Sequence, residues 1–217
     1  MMAVEWWAFE LLGLLAGYFH SPDKLAAHVT AANVSAILYL AGTGAQKAAS
    51  ALVGGATGRG AMEEVKQYCH VALQWNCLVA SLMGVVFVIG QRPISHAYAP
   101  KSAEVQGILM TLMPILAVQG VVDGLNQVLQ GVLQGFGLQA KASRVSILCY
   151  WLVMLPISAA LAFPAHLAIP GLWLGTIISS LIALALNIRL YLRCDFSEIF
   201  AASQLRMQLD ASEHCTA

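Results

Sequence analysis

A chain of 217 residues that is 59% hydrophobic and only 10% charged is not an ordinary soluble domain, where about a quarter of residues carry charge. Its 11 basic and 11 acidic residues cancel, which excludes recognition of nucleic acid through a basic surface. The charges punctuate long uncharged runs, the arrangement of an integral membrane protein.

Crossing a bilayer as a helix takes about 20 apolar residues, and the sequence predicts six such segments. The first runs from Met1 to Tyr18 and stops at the polar cluster His20-Ser21-Pro22-Asp23-Lys24. It has no basic leader and no small-residue cleavage site, so no signal peptide is expected. The second occupies part of Leu25 to Thr57, with Gly54, Gly55, Gly58 and Gly60 predicted to break it, and a charged connector from Arg59 to Lys66 follows. The third lies between His70 and Gly90, the fourth between Val105 and Gln130, and the fifth between Val145 and Phe163. Pro164 and Pro170 bracket a short loop before the sixth, Leu172 to Leu192. Backbone groups in lipid must be satisfied inside the segment or by a closed barrel, and these runs are too long and too uniformly apolar for barrel strands. The fold class is therefore all-α, an integral membrane bundle of about six helices over residues 1–193. Residues 194–217 form a cytoplasmic tail, in which Phe196, Ile199, Phe200 and Met207 suit either an interfacial amphipathic helix or a solvated segment. Arg59, Lys66, Lys141, Arg144, Arg189, Arg193 and Arg206 fall on one side, against Lys24, Arg92 and Lys101 on the other. The positive-inside rule makes the richer side cytoplasmic, with both chain ends there.

The informative residues are those that lipid should exclude. Asp123 sits inside the fourth segment, where an ionisable group costs several kcal/mol and marks a functional site by default. Gln119, Asp123, Asn126, Gln127, Gln130 and Gln134 fall within a sector of about 100° on one helical face. That stripe faces either a wet cavity or other helices as interhelical glue. In the second segment Ser35, Tyr39, Thr43, Gln46, Lys47 and Ser50 share a broader polar face, with Asn33 at its edge. Lys47 either neutralises a carboxylate on a neighbouring helix or snorkels to the surface. Glu5 and Glu10 lie about 140° apart on the first helix; Glu10 is mid-segment, whereas Glu5 stands beside Trp6 and Trp7 at headgroup level. Burial favours the neutral form of a carboxyl, so membrane-embedded carboxylates suit proton exchange, and in the charged form they can hold a cation. No phosphate-binding loop, zinc-protease motif or nucleophile elbow is present. Cys69, Cys77, Cys149, Cys194 and Cys215 show no metal-like spacing. Neither an enzyme nor a cofactor is expected.

With these residues in place, the sequence resembles the C-terminal half of multidrug-and-toxic-compound-extrusion transporters of the eukaryotic type. The stretch Glu5-Trp6-Trp7-Ala8-Phe9-Glu10 is similar to the EWWxFE signature of that family's seventh helix. Ala48-Ala49-Ser50 with Val53-Gly54-Gly55-Ala56, and Gly131-Val132-Leu133-Gln134-Gly135 running on to Gln139, resemble its eighth- and tenth-helix motifs. Pro156-Ile157 and Gly171-Leu172-Trp173-Leu174-Gly175 fit the eleventh and twelfth. The resemblance implies cation coupling at Glu10 and Asp123, with Glu5 as a further candidate. Asn33, Lys47, Gln119, Asn126, Gln127 and Gln130 are expected to line a substrate cavity. It implies antiport of organic cations, drugs or metabolites against protons, with sodium as the alternative ion, in the plasma membrane or a vacuole-like membrane. Leu52, Gly55 and Gln134 depart from the family pattern, which has Arg, Asn and often Arg there. The chain has room for one lobe of the family's two. It is expected to be a fragment of a longer product, or to work with a second copy or a separate N-terminal lobe. The competing reading is a non-transporting scaffold or degenerate half.

Overall fold

The computed structural model describes residues 2–194 and 199–201, with side chains from residue 6 onward. The tail reading therefore falls almost wholly outside the described residues, as does the side chain of Glu5. Among the described residues there are seven helices and no strand. They are α1 (Met2–Gly17), α2 (Pro22–Arg59), α3 (Met62–Ile89), α4 (Gln91–Tyr98), α5 (Ala103–Gly135), α6 (Gln139–Ala162) and α7 (Ala168–Leu192). Five of these, α2, α3, α5, α6 and α7, are long and apolar enough to cross a membrane, and the described part of α1 is a shorter apolar helix. Only the short α4 has no counterpart among the six predicted segments.

Local chemistry explains the boundaries. Ser21 caps α2 by accepting from the Lys24 amide, with Pro22 in the first turn, and Ser102 caps α5 by accepting from the Val105 amide. Both capping serines lie at one end of the bundle, where the Ser102 hydroxyl also donates to Asp23 Oδ1 at 2.8 Å. The glycines predicted to break the second helix do not. α2 continues through Gly54, Gly55 and Gly58 and stops at Gly60, which takes the left-handed conformation at φ 72°. Pro170 likewise lies inside the first turn of α7, where a missing N–H leaves no intrahelical bond unmade. The expected connector from Arg59 to Lys66 is mostly the first turn of α3, tied by the exposed pairs Arg59–Glu64 and Lys66–Glu63.

α5 is the axis of the lobe, packing on α2, α3 and α7, with α6 laid against α7. Association in lipid depends on close approach, because apolar burial offers helices no advantage over lipid tails. Two glycine pairs at four-residue spacing supply that approach. A Cβ at Gly131 would lie 2.3 Å from the Gln46 carbonyl oxygen of α2, and one at Gly135 would lie 2.9 Å from the Gly54 nitrogen. On α7, a Cβ at Gly171 would meet the Leu161 backbone at 2.7 Å, and one at Gly175 would overlap Ser158 of α6. The end that carries the capping serines is filled by one apolar cluster including Leu12, Leu112, Met113, Leu116, Ile169, Leu172 and Trp173. α3 is the outer wall, with Trp75, Leu78, Leu82, Val85 and Ile89 turned outward, as a lipid-facing helix requires.

Candidate functional site

Asp123 lies near the middle of the hydrophobic part of α5 and is 8% exposed. Its partners come from three helices, all uncharged. Gln127, one turn on, donates Nε2 to Oδ2 at 3.0 Å, and the Tyr150 hydroxyl of α6 donates to Oδ1 at 3.1 Å. The Ser180 hydroxyl of α7 faces the same carboxyl. Tyr150 reaches this point from a seven-residue π-helical stretch within α6, Leu148–Met154. Such widened turns re-aim side chains and occur often at functional sites. Pro156 follows immediately and has no N–H to give back along the helix. Tyr150 also packs against Phe9 of α1, ring centroids 5.8 Å apart.

Except for Gln134, the rest of the α5 stripe is buried, and most of it is spent on neighbouring helices. Gln119 Oε1 accepts from the Thr176 hydroxyl of α7. Asn126 Oδ1 accepts from Asn187 Nδ2 of α7 at 2.7 Å, and Gln130 Nε2 donates to the Ser146 hydroxyl of α6 at 3.1 Å. The two partner series advance together, 119 to 126 on α5 and 176 to 187 on α7, as two parallel helices require. Gln127 points the other way and lies against Gly42 of α2. Gln134 is only half buried.

Of the sequence-predicted carboxylates, Glu10 and Asp123 do not converge, and the side chain of Glu5 lies outside the described residues. Glu10 is exposed on α1, and the groups that face Asp123 do not include it. Its neighbour Phe9 links that signature to the Asp123 cluster through Tyr150. Asn33 and Lys47 are exposed on one face of α2, together with Gly44, around which a Cβ would meet nothing within 4 Å. The lobe therefore carries a buried polar core on α5 to α7 and a separate open face on α1 and α2. Tyr150, Thr176, Ser180, Asn187 and Ser146 escaped the sequence reading. For α7 a signal existed, since Thr176, Ser180, Ala183 and Asn187 fall on one helical face by their spacing. For Tyr150 none did, because an α-helical wheel cannot anticipate a π turn.

Among the described residues, no group of three or more His, Cys, Asp or Glu side chains could hold a metal ion. A cation at Asp123 would find one carboxylate, the Tyr150 and Ser180 hydroxyls and the Gln127 amide.

The MatE family matches residues 1–160 of the chain. Multidrug and toxin extrusion protein 1 of Homo sapiens is 31% identical over 178 residues, which is 82% of this chain and 31% of that protein. Protein DETOXIFICATION 37 of Arabidopsis thaliana is 29% identical over 199 residues, 91% of this chain and 40% of that one. The crystal structure of the eukaryotic MATE transporter AtDTX14 superposes with a TM-score of 0.85 at 22% identity, covering 93% of this chain and 45% of that chain. The chain thus spans less than half the length of each of these proteins.

Proposed function

This chain belongs to the MatE family of multidrug and toxin extrusion transporters, is a multi-pass membrane protein and not an enzyme, and we propose that it forms one lobe of a proton-coupled exporter of organic cations. The observation that carries the reading is Asp123, a buried carboxyl held by an amide and the Tyr150 hydroxyl, with the Ser180 hydroxyl facing it and, among the described residues, no cation beside it. A fixed charge is costly there, whereas a group that alternates between charged and neutral forms couples two fluxes. The ionised form favours a cationic substrate, the protonated form does not, and that difference in affinity is what coupling requires. Glu10 and Glu5 of α1 and the α2 face with Asn33 and Lys47 then line the cleft towards a second lobe, an N-terminal half or a second copy. Gln119, Asn126, Gln127 and Gln130 serve Asp123 from behind that cleft. Sodium in place of the proton is the alternative coupling ion, and the membrane is the plasma membrane or a vacuole-like one.

The test is uphill efflux of a fluorescent organic cation from proteoliposomes holding this chain together with its complementary lobe, driven by a pH gradient. Asp123→Asn is expected to abolish gradient-driven efflux with insertion and folding intact. Normal uphill transport by that variant, with unchanged pH dependence, sinks the reading and leaves Asp123 as packing glue.

A further inference from the structure

The polar seam around Asp123 is not symmetric along the helix axis. Towards the end of the lobe that carries Arg59, Lys66, Lys141, Arg144, Arg189 and Arg193, polar rungs follow the carboxyl: Asn126 with Asn187, then Gln130 with Ser146. Gln130 lies about 10 Å beyond Asp123 at the α-helical rise, and half-buried Gln134 follows one turn later. Towards the opposite end only the Gln119–Thr176 rung remains before the apolar plug of Leu112, Met113, Leu116, Ile169, Leu172 and Trp173. Each of those six is at most 1% exposed.

The rungs on the basic side also keep spare hydrogen-bonding capacity. Asn126 and Asn187 are both 0% exposed, yet they make one of the two bonds that facing amides can make. Asn126 Nδ2 and Asn187 Oδ1 have no partner, and neither has Gln127 Oε1 beside the carboxyl. Ala183, also fully buried, lies between Ser180 and Asn187 on the same face of α7. Unpaired buried polar atoms also lie outside this seam, at Asn76 Nδ2 of α3 and, beside the plug, at His28 Nδ1 and Trp173 Nε1; Asn126 Nδ2 and Asn187 Oδ1 differ in belonging to one rung that follows Asp123 towards the basic end. Asn126 Nδ2 and Asn187 Oδ1 suit an ordered water on their rung, and Gln127 Oε1 suits one beside the carboxyl.

We propose that Asp123 exchanges its proton with the basic end of the lobe through this seam between α5, α6 and α7, separately from the open face of α1 and α2. The proposal rests on Asp123 being the proton-responsive group. Asn126, Asn187, Gln130 and Ser146 order the water chain and neither gain nor lose protons. A hydronium gives one proton to the carboxylate, leaving a carboxylic acid and water, and release is the reverse. Among the described residues the groups facing Asp123 are Gln127, Tyr150 and Ser180, none of them charged. The apolar plug denies the carboxyl a second outlet along the same seam, which is the condition for a relay that does not leak.

The experiment follows hydrogen–deuterium exchange at the Asp123 carboxyl. The full chain is reconstituted in liposomes, the medium is switched to heavy water, and the infrared band of the protonated carboxyl is timed as it shifts. Asp123→Asn identifies the band by removing it. Asn187→Leu is expected to slow the shift by about tenfold or more, the effect of roughly 1.4 kcal/mol on a barrier. Ser146→Val, a smaller change further along, is expected to slow it also and carries the test should Asn187→Leu fail to fold. Thr176→Val, on the rung towards the plug, is expected to leave the rate unchanged. Wild-type rates in folded Asn187→Leu or Ser146→Val overturn the relay, as does equal slowing by Thr176→Val. A carboxyl band absent at every pH overturns the proton-responsive reading itself, and the relay with it.

Discussion

Replacing Gly131 with alanine adds one methyl group at the tightest crossing of the lobe. The new Cβ would sit 2.3 Å from the Gln46 carbonyl oxygen, 3.0 Å from its carbonyl carbon and 3.1 Å from its Cα. All three are backbone atoms, so no rotamer change relieves the overlap. α2 and α5 must part by roughly 1 Å to restore an ordinary contact, and a gap of that size forfeits a quarter to a half of each dispersion contact it opens. Gly135, one turn on, where a Cβ would lie 2.9 Å from the Gly54 nitrogen, would lose its contact as well. Overpacking of this kind costs about 1–3 kcal/mol, a melting point lower by several degrees in a chain of this size. Gly107→Ala is the control. It stands on the same helix where a Cβ would meet nothing within 4 Å, and exchanging glycine for alanine inside a helix favours the folded form by up to about 1 kcal/mol. The two variants should therefore shift stability in opposite directions. A thermal melt in detergent reads this through a fluorogenic maleimide, which reports exposure of the buried thiols Cys69 and Cys149. Gly131→Ala melting at or above the parent would refute the claim that glycine-mediated approach holds α2 to α5.

Tyr150→Phe deletes the hydroxyl that bonds Asp123 while keeping the ring against Phe9; the loss of one hydrogen bond to a charged group, about 1.5–3 kcal/mol, should lower the melting point and cut gradient-driven efflux, with Phe9→Leu milder in both assays. Glu10→Gln should leave the melting point of the isolated lobe unchanged, because the side chain is exposed, yet reduce efflux once the second lobe is present; a drop in stability without any effect on transport would move Glu10 out of the cleft. Among the described residues of α1, 6–17, no side chain hydrogen-bonds to another helix, and α1 is held by Ala8, Leu12, Ala16 and ring contacts. Its backbone amides should accordingly exchange with heavy water sooner than those of α5 in lipid nanodiscs, and equal protection would contradict that ranking.

The order and apolar character of the helices were legible because lipid imposes a simple rule on the sequence, about twenty apolar residues per crossing, and five of the six predicted spans are long enough to cross, the first being shorter in its described part. Their bounds were less so. Glycine reads as a breaker in water, but Gly54 and Gly55 lie inside α2, and Gly54 meets Gly135 where two backbones must touch. Asp123 and its stripe were legible because polar residues inside a span have few explanations. Which helix each rung would meet was not, since Gln119 and Asn126 find Thr176 and Asn187 at separations of 57 and 61 residues. Glu10 shows the opposite limit. The family signature marks the residue, but only the packing shows that it faces outward while Phe9 beside it faces Tyr150.

Helix α5 is fastened in two different ways, and the difference bears on how the lobe can move. Towards α2 it uses glycines and backbone contact, which hold only at one separation. Towards α6 and α7 it uses side-chain hydrogen bonds from buried amides and hydroxyls, which tolerate small rotations and exchange with water. A change of charge at Asp123 acts on the second set first, because Tyr150 and Ser180 belong to α6 and α7. On the function proposed for Asp123, the α2–α5 pair would serve as the fixed frame, and α6 and α7 as the part that responds. Through Phe9 on Tyr150 the response reaches α1, whose described residues lack hydrogen-bonded anchors and whose outer face carries Glu10. Protonation at the centre of the lobe can in this way alter the face presented to a second lobe without any direct contact between the two carboxylates.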